Sequence, residues 1–469
     1  MLTAEDISSM TMADGATDKK TVIVGLGKTG LSCARYLVRR GEPFVVVDSR
    51  ANPPGFKELL TIAPNVDCYV GGLEPFVFEQ AEKIIVSPGV SVKESVIAGA
   101  RQRGASIVGD VALFAQQADA PIVAITGSNG KSTVTTMLDA MAQQANLNVK
   151  VGGNLGVPAL DLLADSTESQ EQHPEFYVLE LSSFQLETTP DLHAHAAVVL
   201  NISADHMDRY TSLQEYVAAK QNIYHNCQHK VFNRDDPAVA AMIAAQDAQA
   251  NGIVSFGLSA PPTEQDYGLE YDNGQAWLVK GRQRLMAAKD VYLPGRHNQA
   301  NALAALALGE TMNIPVDAML SVLRRFTGLP HRMQWVATKH NVAWYNDSKG
   351  TNVGATVSAI AGMPGNKVLI AGGDGKGADF DPLREAVIAN NVRLVILIGK
   401  DADRIASVLT GVVQIEKAGD MTAAVAVANK LARPNEKVIL SPACASFDMF
   451  SDYQQRGEVF MAAVNNLPE

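Results

Sequence analysis

The sequence predicts an α/β chain of three consecutive domains, and three observations carry that expectation. At 469 residues the chain exceeds what one ordinary hydrophobic core organises, so two to four domains are expected. Hydrophobic residues make up 47% and charged residues 19%, a globular rather than disordered composition. Short apolar, β-branched runs alternate with helical patterns, the sequence form of parallel sheets covered by helices. These runs fall into three clusters, which place boundaries near residues 109 and 328. The domains are then 21–109, 110–328 and 329–469, behind a polar leader at 1–20 that reads as disordered.

In chain order, the first cluster has candidate strands at Thr21–Val24, Phe44–Val47 and Lys83–Val86. The second has Ile122–Thr126, Phe176–Leu181 and Ala197–Asn201. The third has Val342–Asn346, Lys367–Ala371, Leu394–Ile398 and Lys437–Leu440. The polar segments Ala164–Glu175 and Gly257–Gly268 read as surface loops of the middle domain.

Charge and cysteine usage exclude several function classes. Net charge is -11 with no basic block, whereas a nucleic-acid partner needs a basic face; small anions can still bind at loops and helix N-termini. Cys33, Cys68, Cys227 and Cys444 are scattered without C-x-x-C spacing, which fits a reducing cytosol rather than a disulfide framework or a structural zinc site. The first 20 residues lack the apolar core of a signal peptide, and no run of 18 apolar residues exists. A cytoplasmic protein without membrane insertion is expected.

Ile122–Thr126 leads into Gly127-Ser128-Asn129-Gly130-Lys131-Ser132-Thr133 and a helical run to Gln144. Glycines let backbone N–H groups turn toward an anion, the helix N-terminus adds positive potential, and Lys131 can neutralise outer phosphates. Ser132 offers its hydroxyl to a magnesium ion. The first glycine of the usual G-x-x-x-x-G-K-[ST] pattern would fall at Ile125, so this is a shortened T-G-x-x-G-K-S form. An ordinary βα turn with a solvated lysine is the plainer alternative.

Gly25-Leu26-Gly27-Lys28-Thr29-Gly30 follows the first strand, with Asp48 about 20 positions on, which satisfies the dinucleotide-binding G-x-G-x-x-G pattern. The glycines say only that a diphosphate can approach a helix N-terminus; NAD, FAD, a uridine diphosphate and a purely structural loop all remain open. Glu180 ends a buried strand, where a magnesium ion bound to nucleotide needs an anionic oxygen. His206 and Lys220, taken alone, are an unremarkable polar residue and a surface lysine on an amphipathic helix. Asn298 is positioned to cap the helix after Leu293-Pro294-Gly295-Arg296-His297.

The shortened loop, Asn201-Ile202-Ser203-Ala204-Asp205-His206-Met207-Asp208-Arg209-Tyr210, and Tyr345-Asn346-Asp347-Ser348-Lys349-Gly350-Thr351 resemble the Mur ligase family, and the resemblance spans about residues 20 to 466. It implies a Rossmann-like N-terminal domain, a P-loop ATPase-like central domain and a Rossmann-like C-terminal domain. The implied activity is amide ligation driven by ATP, with two magnesium ions and an acyl-phosphate intermediate. The loop Gly127 to Thr133 would hold ATP phosphates, with Asn301 near adenine, Arg332 on the phosphates, Asp347 at the ribose and Lys349 balancing charge. Leu26, Lys28, Thr29, Asp48, Ser49 and Arg50 would line a uridine diphosphate pocket, with Ser87-Pro88-Gly89 as its second wall. Asn154 would lie near the substrate carboxylate. His206 would ligate a second metal and adjoin the substrate. Lys220 would be a carbamate formed from CO2, a metal-bridging or orienting anion. Lys131, Glu180, His206, Lys220, Arg332 and Asn154 form the implied catalytic set, and Ser132, Glu180, His206 and Lys220 the metal set.

The same resemblance implies the incoming amine. No D-N-P-R motif, expected for a diaminopimelate-adding enzyme, is present. Instead the segments from Gly372 to Phe380 and from Ser441 to Phe450 are similar to those of ligases that add D-glutamate. Lys376, Thr351 and Ser446, with the Phe447 backbone, would hold its two carboxylates beside Tyr453, and the acceptor would be UDP-N-acetylmuramoyl-L-alanine. Phe447 and Tyr453 depart from the leucine and phenylalanine of the family pattern and would reshape the pocket. A monomer is expected. Rival readings are an NAD-dependent oxidoreductase using Gly25 to Gly30, a non-catalytic nucleotide switch, and a folate polyglutamylating ligase.

Overall fold

The structure, a computed structural model, describes residues 21–163, 173–207, 209–244 and 252–468. Its strands are β1 (Thr21–Val24), β2 (Val45–Asp48), β3 (Cys68–Val70), β4 (Lys83–Val86), β5 (Ser106–Val108), β6 (Ile122–Thr126), β7 (Val149–Gly153), β8 (Phe176–Glu180), β9 (Ala196–Val199), β10 (His229–Asn233), β11 (Ile253–Phe256), β12 (Tyr267–Asp272), β13 (Gln275–Lys280), β14 (Gln283–Ala287), β15 (Gln334–Lys339), β16 (Val342–Asn346), β17 (Lys367–Gly372), β18 (Val392–Ile398), β19 (Gln414–Lys417) and β20 (Lys437–Leu440). By contact density the chain forms two compact units. One holds residues up to Thr126 with Leu147–Ala197 and Ala218–Lys230; the other holds Gly127–Asn146, Val198–Val217 and everything from Val231.

The first unit contains a five-stranded sheet in the order β3-β2-β1-β4-β5, parallel throughout. Strands sandwiched by helices must be apolar on both faces, which is why β1 and β2 read as unbroken valine and isoleucine runs. The order reverses at β1, so the crevice beyond the ends of β1 and β4 is where an α/β sheet accepts ligands. The unit also contains the parallel run β7-β8-β6. The second unit contains β11 and an antiparallel extension of β12, β13 and β14. β9 and β10 have residues in both units. A third sheet runs β15-β16-β20-β17-β18-β19, with only the β15–β16 pair antiparallel. Trp344, Ile370, Leu394 and Val438 pack one of its faces against Phe460 and Val464 of helix Tyr453–Asn465.

Several expectations are corrected. Strand ends shift by one or two residues, and β12 begins at Tyr267, which is buried, so the expected loop at Gly257–Gly268 is shorter. Of the other expected loop, residues 164–172 lie outside the described residues. Lys220 is not a surface lysine: it is 1% exposed, because its side chain runs inward to Thr126. Asn298 does not cap its helix. Gly295 does, at φ 104, and Asn298 lies in the first turn, donating to the Pro294 carbonyl. No helix of the described residues is long and apolar enough to cross a membrane.

Two side chains test this packing. Trp344 is fully buried, so Trp344→Ala should cost about 3–5 kcal/mol in chemical denaturation, and Trp344→Phe much less, because the indole N–H has no partner among the described residues. Asp110, 1% exposed, opens helix Asp110–Ala115; the Val111 and Asp110 N–H groups and Gln185 favour its charged form only weakly, and neither oxygen has a hydrogen bond of good geometry among the described residues. Burial pushes its pKa from 3.8 to about 6. The folded state therefore holds the proton more tightly than the unfolded chain. The resulting destabilisation is absent below pH 3.8, grows as pH rises, and saturates above about 6, at about 3 kcal/mol. Asp110→Asn should accordingly be more stable than the wild type at pH 8, with the advantage shrinking below pH 6; urea midpoints across that range measure it.

Candidate active site

In the first unit, the turn after β1 is shaped by what glycine lacks. Gly25 adopts φ 93, and a Cβ on Gly30 would sit 1.9 Å from the Gly25 carbonyl oxygen. The helix Lys28–Arg39 can thus start hard against the turn, with Gly27 as an N-cap that provides no side-chain bond. Ser87 donates to the Gly25 carbonyl at 3.0 Å and ties the second wall to the first.

Asp48, 2% exposed, accepts from the Leu26 and Arg50 N–H groups and from both ends of the Arg50 fork. Burial pushes Asp48 up, but these bonds outweigh it and hold the carboxyl below its ordinary range. Four donors occupy its acceptor sites, so what Asp48 does directly is fix Leu26 and aim Arg50. Lys28, Ser49 and Gly89 are exposed around them.

The same unit holds a second polar group. Asn154 donates to Glu180 Oε1 at 2.7 Å, and its backbone N–H bonds to the Glu180 carbonyl. Glu180 is 3% exposed, and its Oε2 is buried without a partner among the described residues. A buried, half-satisfied carboxylate is costly unless a cation completes it. Thr126 Oγ1 accepts from Lys220 Nζ at 3.2 Å and donates to the Leu181 carbonyl.

In the second unit, the loop from Gly127 to Thr133 is braced from behind. Ser128 and Asn129 donate backbone N–H groups to the Asn201 carbonyl and side chain, and Ser128 Oγ bonds Ser203 and the Tyr216 hydroxyl. Gly130 has φ 85, and a Cβ there would lie 2.6 Å from Asn301 Oδ1. Lys131 folds its ammonium over the Gly127 and Ser128 carbonyls, which sets a cation over the loop. Arg332 reaches Ser132 Oγ at 2.8 Å. Asn352 donates to Asp205 at 3.1 Å. His206 stands at φ 57, beside Asp205.

Part of the loop from Gly127 to Thr133 borders a cavity of about 410 Å³. Asn129, Gly130, Thr133, Asn301, Arg332, Asp347 and Lys349 line it, so residues scattered over more than 200 positions of sequence meet there. Apolar walls from Leu200, Ile202 and Phe256, with convergent polar groups, suit a flat heterocycle bearing a charged tail. Asp347 accepts from Ser441 and the Met333 N–H, and burial pushes it to about 6. Lys349 Nζ lies 3.8 Å above the Tyr453 ring centre.

Two loops that follow the central strands β17 and β20 of the third sheet are pinned together where Asp374 and Ala445 exchange backbone hydrogen bonds. That pairing joins the segment bearing Lys376 (φ 49) to the one bearing Ser446, which is buried, and Phe447, which is 71% exposed. Thr351 closes a short turn onto the Lys349 carbonyl. Sequence reasoning gave no role to Tyr216, His297, Asn352, Lys400 or Arg456. Lys400 pairs with Asp374, and Arg456 is buried behind Ser348. Their positions lack motif signatures, although Arg456 falls one helical turn after Tyr453.

Family profiles described as Mur ligase MurD-like, N-terminal domain, as Mur ligase middle domain, and as Mur ligase, glutamate ligase domain match residues 19–109, 125–309 and 331–444. A UDP-N-acetylmuramoylalanine–D-glutamate ligase of Nitrosococcus oceani is 50% identical over 95% of this chain and 96% of its own. One from Pseudomonas aeruginosa is 47% identical over 96% and 99%. Among solved structures, MurF from Acinetobacter baumannii has a TM-score of 0.59 at 16% identity, covering 98% of both chains. The UDP-N-acetylmuramate–alanine ligase of Thermotoga maritima has 0.57 at 17%, covering 95% of this chain and 99% of its own. At those identities the solved structures share the fold, while the relatives near half identity along almost the whole length show that this chain belongs to the Mur ligase family.

Proposed function

We propose that this chain joins D-glutamate to UDP-N-acetylmuramoyl-L-alanine, converting ATP to ADP and phosphate. The observation that carries the reading is Arg332, 199 residues beyond the phosphate loop's last residue by number, bonded to Ser132 in a cavity it shares with Asp347 and Lys349. The substrates are those in the names of the relatives.

A carboxylate does not react with an amine, because its oxygen is a poor leaving group. The acceptor carboxylate oxygen therefore attacks the γ-phosphorus of ATP; ADP leaves and an acyl phosphate forms. The D-glutamate amine then attacks the acyl carbon, loses a proton, and phosphate departs as the amide forms. The first step brings anions together, and Lys131 and Arg332 neutralise that repulsion. Gly127, Ser128, Asn129, Gly130 and Thr133 cradle the phosphates, Asn301 faces adenine, and Asp347 and Lys349 take the ribose and nearby charge. The turn at Leu26, Lys28 and Thr29, with Asp48, Ser49, Arg50, Ser87 and Gly89, receives the uridine diphosphate at a helix N-terminus. Asn154 and His206 orient the acceptor. Thr351, Lys376, Ser446 and the Phe447 backbone hold the two glutamate carboxylates beside Tyr453.

Magnesium fits the residues present, since the unpartnered Oε2 of Glu180 is the hard anionic oxygen this ion selects. Candidate ligands are Ser132 and His206 in one unit and Glu180 and a carbamylated Lys220 in the other, for two ions in all. Bound magnesium would supply charge neutralisation to the phosphates. At Lys220 the neutral amine is the form that would add CO2, losing a proton to become a carbamate anion.

ADP release from UDP-N-acetylmuramoyl-L-alanine should require D-glutamate and fail with L-glutamate, with the amide product seen by mass; turnover with neither isomer would discard the pocket assignment. Lys131→Ala and Arg332→Ala should each lower kcat by about 10²-fold or more. Equilibration with ¹³C-bicarbonate should give a carbamate carbon resonance in the wild type that Lys220→Arg lacks; equal spectra would sink the modification.

A further inference from the structure

The helix Tyr453–Asn465 begins behind the Asp347–Thr351 loop, and its first turn carries a buried charge the reaction does not explain. Arg456 is 1% exposed. Its Nε donates to Ser348 Oγ at 3.0 Å, one terminal nitrogen to the Ser348 carbonyl at 2.8 Å, and the other to the Cys444 carbonyl at 3.1 Å. Among the described residues it forms no ion pair: Asp347 and Asp448 act on it only from a distance. Burial lowers it to about 10, so it stays a cation at neutral pH.

A buried guanidinium without a counter-ion is a costly way to fill space, and methionine or leucine would pack a helix against a sheet with less penalty. What arginine alone supplies is a rigid planar fork whose donors hold fixed angles. Here that fork grips two loops at once. Ser348 lies between Asp347 and Lys349, two residues before Gly350-Thr351; Cys444 lies two residues before Ser446 and Phe447. The rest of the turn serves the same loops. Ser348 Oγ donates to the Tyr453 carbonyl, the Tyr453 ring supports Lys349, and Gly457 leaves room for His331, whose Nδ1 would lie 2.2 Å from any Cβ there.

We propose that Arg456 is a positioning residue, a clamp that sets the spacing between the Ser348 and Cys444 loops so that Thr351 on one and Ser446 and Phe447 on the other meet both carboxylates of D-glutamate together. This role rests on D-glutamate being the incoming amine. A purely structural arginine would stabilise the fold without favouring any one substrate, and the two differ in kinetics.

The experiment compares full-length wild type, Arg456→Lys and Arg456→Ala in ADP release, varying each substrate in turn, with thermal melting alongside. For Arg456→Lys the KM for D-glutamate should rise about tenfold or more, while that for UDP-N-acetylmuramoyl-L-alanine stays within about twofold. Millimolar guanidinium should recover part of that KM in Arg456→Ala, where sodium chloride does not. An unchanged D-glutamate KM in a folded Arg456→Lys, or an equal loss with every substrate, overturns the clamp. Should neither arginine variant fold, Ser348→Ala decides: it removes one of the three contacts and should raise the same KM, and an unchanged value overturns the proposal. A wild type that releases ADP without needing D-glutamate is a different failure, of the substrate assignment and not of the clamp.

Discussion

Backbone N–H groups can face an anion only where the chain turns through conformations that side chains resist, and the second unit is arranged around that constraint. Gly127 and Gly130 sit at φ 155 and 85, and a Cβ on Gly130 would strike Asn301 Oδ1. The turn is then held from outside: Asn201 bonds the backbone of Asn129 on both sides, and Ser128 hangs from Ser203 and Tyr216. Because those braces come from segments after β8, the phosphate loop's shape depends on distant sequence. A loop so constrained loses little further freedom when it binds phosphate, which favours tight positioning over adaptability.

The polar groups buried around these loops differ in how they are satisfied, and the difference separates scaffold from chemistry. Asp48 and Arg456 have their bonding capacity turned inward, toward neighbouring backbone groups and the Arg50 and Ser348 side chains. Glu180 has one oxygen taken and one left over. Asp347, held near 6 by burial, still accepts from Ser441 and Met333 while lining the cavity. Groups with unspent capacity are the ones that can meet a substrate or an ion; groups without it act through their neighbours.

Much of this was legible in the sequence, and the parts that were not have physical causes. Buried parallel strands announce themselves as continuous apolar runs, so β1, β6 and β20 are found to the residue. The antiparallel β12–β13 hairpin carried a signal that went unused: Asn273-Gly274, both at positive φ, form the two-residue turn between alternating strands. Lys220 misled because its burial comes from a partner 94 residues away, Thr126, which helical periodicity does not report. Arg456 was invisible for the same reason, since its three acceptors lie on two loops after different strands. Asp48 was legible as a site residue but not in what it touches, because whether a carboxylate bonds ligand or backbone depends on geometry.

Net charge and site charge also have to be read separately. The chain carries -11 overall, and the proposed substrates are themselves anions, so long-range attraction cannot gather them. At physiological salt, charges separated by more than about 8 Å are largely screened, and what governs binding is the set of groups inside that radius. In the second unit those groups include Lys131 on its own loop, Arg332 beside Ser132 and Lys349 over Tyr453. Lys131 lies over the Gly127 and Ser128 carbonyls, and Arg332 is oriented by the Ser132 hydroxyl. A carboxylate partner would cancel the field, whereas neutral acceptors hold the cation in position and leave its charge available to an anion. A net negative chain and a local set of cations are therefore compatible, because screening isolates distant charges from the site.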